Sequence, residues 1–260
     1  MITAARYELR MMLRKRSLWV SLGVIVVLLA AVGSQQVREV IRQDDPKGAM
    51  LSGALLVNIF LPVAYGCLLA DRLVRDHRLG VAAILDATPA SPVARLTGKY
   101  LGVCAAVTAP VALAYFGFAV AYAIASGRFA ALGWALAAFA LVLLPAVLFV
   151  GAFALAVPLV VPAPLFRVLF VGYWFWGNSI TPDTMPTLAH SIVTPIGSYP
   201  MQELLGFRIR GGETIAGPVP GAALNFLRPE ATPVTAWLSI GVLLVLAALA
   251  LAAASVRPRR

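Results

Sequence analysis

Six apolar runs limit what this chain can fold into. Residues 18–32, 49–70, 100–126, 130–157 and 236–254 contain no charged side chain, and residues 165–176 contain only Arg167. One soluble core cannot bury so many uninterrupted apolar stretches, whereas a bilayer accepts each as a helix of about 20 residues. Only 12% of the 260 residues are charged, against roughly a quarter in soluble domains. The expected fold is an all-α polytopic membrane protein. It has six transmembrane helices in a single domain over residues 1–260.

The net charge of +10 would point to nucleic acid in a soluble protein. Here the basic residues flank apolar runs, which points to a membrane orientation and to no nucleic-acid partner. With both termini cytoplasmic, fourteen of the 21 Lys and Arg residues fall on the inner side and seven on the outer side. The reversed orientation would violate the positive-inside rule. Residues 1–16 add a basic helix. Arg6, Arg10 and Arg14 recur every four positions and share one face, with Leu9, Met12 and Leu13 away from it. This spacing predicts an amphipathic helix in the inner interface, its arginines reaching anionic lipid headgroups. Its length, Glu8 and the lack of a clear small-x-small site disfavour a signal peptide.

The remaining segments follow from local signals. Residues 35–48 read as an outer loop turning at Asp45-Pro46, and Asn58 in the second span is expected to bond across helices. Pro110 marks a kink in the third span, Gly127-Arg128 an outer turn, and Pro145 lies within the fourth span. Pro158, Pro162 and Pro164 mark an inner turn before a short fifth span. A turn nearer Gly151 would instead bury Arg167 in the membrane. Tyr173, Trp174, Phe175 and Trp176 read as an aromatic belt at the outer interface. Residues 177–233 form a structured extracellular loop with helical pieces expected at 186–192 and 200–205. Arg257, Arg259 and Arg260 make a basic stop.

Several kinds of chemistry lack their residues. There is no phosphate-binding G-x-x-x-x-G-K-[ST] loop; the nearest fragment is Gly98-Lys99-Tyr100. None of the eleven carboxylates falls deep in a span, which weighs against an ion-coupled carrier. His77 and His190 fall on opposite sides of the membrane. His190, Asp183 and Glu203 share the outer loop but match no hydrolytic or metal motif. Cys67 and Cys104 lie in apolar runs and read as small buried hydrophobes. No catalytic, cofactor-binding or metal residue is assigned.

The polar stretch 71–99 remains. Asp71–Arg75 and Arg72–Asp76 are opposite-charge pairs four apart, which extend the second span as a solvated helix. Gly80 is a stop signal, and Val81, Ile84 and Leu85 give a short helix an apolar side ending before Thr88-Pro89. Ser91-Pro92 is a start signal, with Ser at the N-cap and Pro at the first helical position. A short helix with one apolar face cannot bury it alone in the cytosol, so it fits a groove on a partner.

Arg75-Asp76, Gly80, Leu85, Ala87-Thr88-Pro89, Ser91 and Gly98-Lys99 together resemble the pattern of permease subunits of type-2 ATP-binding-cassette exporters. The layout resembles that family over essentially the whole chain. One departure is that Val81, Ala82 and Ala83 follow Gly80, where the family often has Thr and Glu; the acidic residue is Asp86. The resemblance implies a multi-pass protein of a bacterial cytoplasmic membrane that exports a substrate. Its partners would be cytosolic ATPase subunits holding ATP and Mg, a second permease chain forming a homo- or heterodimer, and membrane lipid. It implies ATPase contact at Ile84, Leu85 and Asp86, with Arg75, Asp76, Gly80, Pro89 and Ser91 ordering the elbow. The apolar spans lean toward an amphiphilic or hydrophobic cargo. The other readings are an ion-coupled secondary transporter and a non-transporting assembly or sensing subunit.

Overall fold

The computed structural model describes residues 2–16, 19–20, 23, 45–74, 91–208 and 214–256. Among these residues all regular structure is helical. Most of the predicted first span at 18–32, most of the loop at 35–48, the middle of the elbow and the basic C-terminal stop lie outside them.

Helix α1 covers Ile2–Leu13. Helix α2 covers Pro46–Leu69 and begins three residues before the predicted second span. The reason is local: Asp45 accepts bonds from the N–H groups of Lys47 and Gly48, and Pro46 takes the first helical turn. Helix α3 covers Pro92–Ser126 and stops at Gly127, whose φ of 71° is the left-handed conformation that glycine adopts freely. The fourth rod comprises α4 (Ala130–Ala138), a π-helical turn (Phe139–Leu143), α5 (Leu144–Ala156) and a 3-10 turn (Val157–Leu159). Pro145 lies one residue past the π turn, after Leu144, and the wider turn accommodates its missing N–H and the ring's bulk. Helix α6 covers Ala163–Ser179 and α7 covers Pro233–Val256.

Among the described residues four helices are long and apolar enough to cross a membrane: Pro46–Val74, Val93–Ser126, Ala130–Leu159 and Pro233–Val256. By length and composition these helices fit an α-helical membrane protein. Helix α6, at 17 residues, is shorter than these four. The turn before it lies at 157–162, as the prolines predict, and not near Gly151.

The bundle has two distinct ends. At one, α2 runs into the elbow, α3 leaves it, α1 packs on α3, and α6 begins. At the other end, residues 180–208 and 214–232 form a cap. Residues 194–202 are buried without a break. Of the two helical pieces expected, 200–205 appears as a π turn over Pro200–Leu204, while 186–192 is a series of turns. The latter stretch is held by side-chain bonds to its carbonyls, leaving no helical ladder. The aromatic belt is also corrected in part. Trp174 is fully buried and donates its indole N–H to the carbonyl of Ile59 at 2.7 Å. Ile59 lies in the turn before Pro62, next to the Asn58 carbonyl that the proline leaves without its helical donor. Phe175 and Trp176 stay partly exposed.

Candidate coupling site at the elbow end

The carboxylate of Glu8 lies on the same face of α1 as Ala5, Leu9 and Met12 and is buried. That face sits against α3 at Gly102. A Cβ at Gly102 would come within 2.5 Å of the Ala5 carbonyl, so only glycine permits this approach. Glu8 meets Arg72, at the end of α2, at 3.3 Å, with both side chains almost fully covered. Lys99 of α3 donates its ammonium to the carbonyl of Arg72 at 3.0 Å. The two ends of the elbow are therefore tied together at its base. Arg167 of α6 donates to the carbonyl of Cys67 at 3.2 Å and pairs with the carboxylate of Asp71. Arg167 thus lies level with the end of α2. Four segments meet here through charged groups: α1, the end of α2, α3 and α6.

Among the elbow-ordering residues, Ser91 is placed as expected. It is the N-cap of α3, accepting from the N–H of Ala94 at 3.2 Å, with Pro92 in the first turn. Arg6 and Arg10 are exposed on α1, and Arg14, just past its end, is exposed too. Ile84, Leu85, Asp86, Arg75, Asp76, Gly80 and Pro89 lie outside the described residues, as does His77. Asp71 and Arg72 make tertiary contacts with Arg167 and Glu8. The spacing argument assigned them only local partners. Glu8 entered the sequence reading only as a residue that disfavours a signal peptide. Arg167 was legible only as an inner flank.

The opposite end is built differently. Asn58 lies roughly 18 Å along α2 from Pro46, at 1.5 Å per residue. Its amide donates to the carbonyls of Pro195 and Ile196 at 2.9 and 3.1 Å. It reaches the cap segment and not, as expected, another helix. Thr194 donates to the side-chain oxygen of Asn178 at 2.6 Å, and Asn178 in turn donates to the Trp174 carbonyl. Gly197, at φ 78°, packs against Val142 of the π turn. Gln202 accepts from the N–H groups of Ile215 and Ala216, and Tyr199 donates to the Pro229 carbonyl. Arg228, buried to 1% exposure, holds the carbonyls of Ala189 and Thr187 at 2.9 and 2.6 Å. Irregular backbone at this depth is tolerated because protein donors satisfy its carbonyls.

Cys104 is buried, Cys67 is half-buried, and both are free thiols. Among the described residues no group of three His, Cys, Asp or Glu side chains is placed to hold a metal ion. Compared with protein-family models and with curated proteins, the sequence matches none.

Proposed function

We propose that this chain is the membrane-spanning permease subunit of an ATP-driven exporter of the type-2 ATP-binding-cassette kind. The single observation that supports this most is the tied base of the elbow. Lys99 binds the Arg72 carbonyl while Arg72 pairs with Glu8 and its neighbour Asp71 with Arg167. A push on residues 75–90 would reach α1, α2, α3 and α6 together. That is the mechanical requirement on a subunit driven by a partner, since the chain has no phosphate loop of its own.

In this reading the termini and the elbow are cytoplasmic and the chain crosses the membrane six times. The arginines of α1 rest on anionic headgroups. Cytosolic ATPase subunits hold ATP and Mg and dock on Ile84, Leu85 and Asp86. A second permease chain completes the path for an amphiphilic or hydrophobic cargo. The cap closes the far end.

Purification of the chain from its own membrane in mild detergent is the test. An ATPase subunit bearing a phosphate loop should co-purify with the wild type and be lost from Leu85→Asp. If no ATPase is captured by the wild type, the exporter reading falls. If Leu85→Asp retains full capture and full ATP-driven transport, docking through the elbow falls.

A further inference from the structure

His190 is the one non-glycine among the described residues with a positive φ, 62°. It sits in the turn through which the cap enters its buried stretch. That turn is fixed by Arg228, whose guanidinium bonds the carbonyls of Thr187 and Ala189. On the other side, the His190 carbonyl accepts from the N–H of Gly217 at 3.4 Å. Ile192 donates to the Leu227 carbonyl at 3.0 Å, adding a second tie to the strip containing Arg228. Among the described residues Arg228 has no carboxylate partner, and its Nη1 is buried without an acceptor. A second positive charge beside it would be offset only by Asp183, whose carboxylate is exposed and screened by water.

We propose that His190 is an acid-operated release for the cap. A proton on its ring repels Arg228, the turn at 187–190 lets go, and residues 194–202 leave their seat against α2 and the π turn.

The charged and titratable groups that bear on His190 among the described residues are few. Arg228 approaches from the strip after the 3-10 turn (Asn225–Leu227), Asp183 from the start of the cap, and Tyr199 stands beside Arg228. Burial, then Arg228, pull the His190 imidazole below its ordinary value of 6.5, while Asp183 opposes them. Asp183 is itself held below the usual carboxylate range, first by a hydrogen bond from Thr181, so it stays anionic throughout. The released cap returns His190 to an ordinary value and so binds the proton more readily than the seated cap. The seated cap is therefore fully favoured above about pH 6.5. Its advantage is lost as pH falls from there through the depressed value.

Hydrogen–deuterium exchange on the purified full chain in nanodiscs, from about pH 8 to about pH 5 and corrected for intrinsic rates, tests this without any partner or transport. It is therefore independent of the exporter reading. Peptides spanning 187–207 should exchange severalfold faster at the acid end, while α3 and α5 stay unchanged. His190→Asn, which keeps a residue tolerant of positive φ, should abolish the acid response. Asp183→Asn should enlarge the acid response, because it lowers the seated His190 further while the released value stays ordinary, and it serves as the deciding arm if His190→Asn fails to fold. An acid response that is absent in the wild type, retained in His190→Asn or not enlarged in Asp183→Asn overturns the proposal.

Discussion

The two ends of the bundle solve opposite problems with opposite bonds. At the elbow end, charged side chains bond to charged side chains: Glu8 to Arg72 and Asp71 to Arg167. At the cap end, side chains bond mainly to backbone carbonyls: Asn58 to residues 195 and 196, Arg228 to 187 and 189, Tyr199 to 229. Ion pairs between long side chains can part and re-form as helices shift, with water or another charge as a substitute. A carbonyl buried in irregular backbone has no substitute, so its donor must stay in place. The elbow end is thus built to be displaced, and the cap to be held until something specific releases it.

The largest single loss is expected at the buried ion pair. Glu8→Leu removes the carboxylate that pairs with the covered Arg72, a loss of about 3–5 kcal/mol. Adding Arg72→Leu should restore most of it, because a neutral pair of similar volume needs no compensation, and the Lys99 bond to the Arg72 backbone survives. Asn58→Leu comes next, with about 2–4 kcal/mol lost through two unpaired buried carbonyls. No second side-chain change should rescue it as Arg72→Leu rescues Glu8→Leu, since the acceptors are backbone. Denaturant unfolding in detergent, run on the two single variants and the double, decides the matter. If the double variant stays as unstable as Glu8→Leu, the elbow end is as fixed as the cap and the contrast is lost.

Gly197→Ala tests the seat of the cap alone. The residue would hold φ 78°, and its Cβ would fall 2.8 Å from the nearest methyl of Val142. Left-handed backbone alone costs about 1–2 kcal/mol for an alanine. Trimming Val142 to Ala should recover only the contact part. Full recovery would show that the backbone at 197 adapts, and that the cap is softer than its bonds imply.

Helix limits were legible wherever the chain carries its own chemistry. Asp45-Pro46, Ser91-Pro92 and Gly127 each fix a helix end through a cap or a backbone angle that needs no distant partner. Residues 194–202 were not legible as buried. Their Thr, Pro, Gly and Ser have no apolar period, and their burial is decided by Asn58, more than a hundred residues earlier in the chain. The π turn left only Pro145 as a trace. Of the elbow, Ser91 alone among the named residues lies in the described part, whereas Glu8, Lys99 and Arg167 at its base emerge only from packing. A lone charge has many candidate partners in sequence and one in space.

The smallest expected effect sharpens the contrast most. Asp71 and Arg167 pair with side chains 49% and 39% exposed. Such a pair contributes about 0.5–1 kcal/mol and is weakened by salt. Asp71→Asn keeps the shape of the side chain, and Arg167 keeps its bond to the Cys67 carbonyl. Thermal unfolding should therefore differ slightly from wild type at low salt and not at all at high salt. The buried Glu8–Arg72 pair, by comparison, should be nearly insensitive to salt. An elbow end with one covered pair and one screened pair has a fixed pivot on α1 and a weak link on α6. Were Asp71→Asn to cost as much as Asn58→Leu, α6 would be bound as firmly as the cap, and displacement of the elbow would have to break both pairs at once.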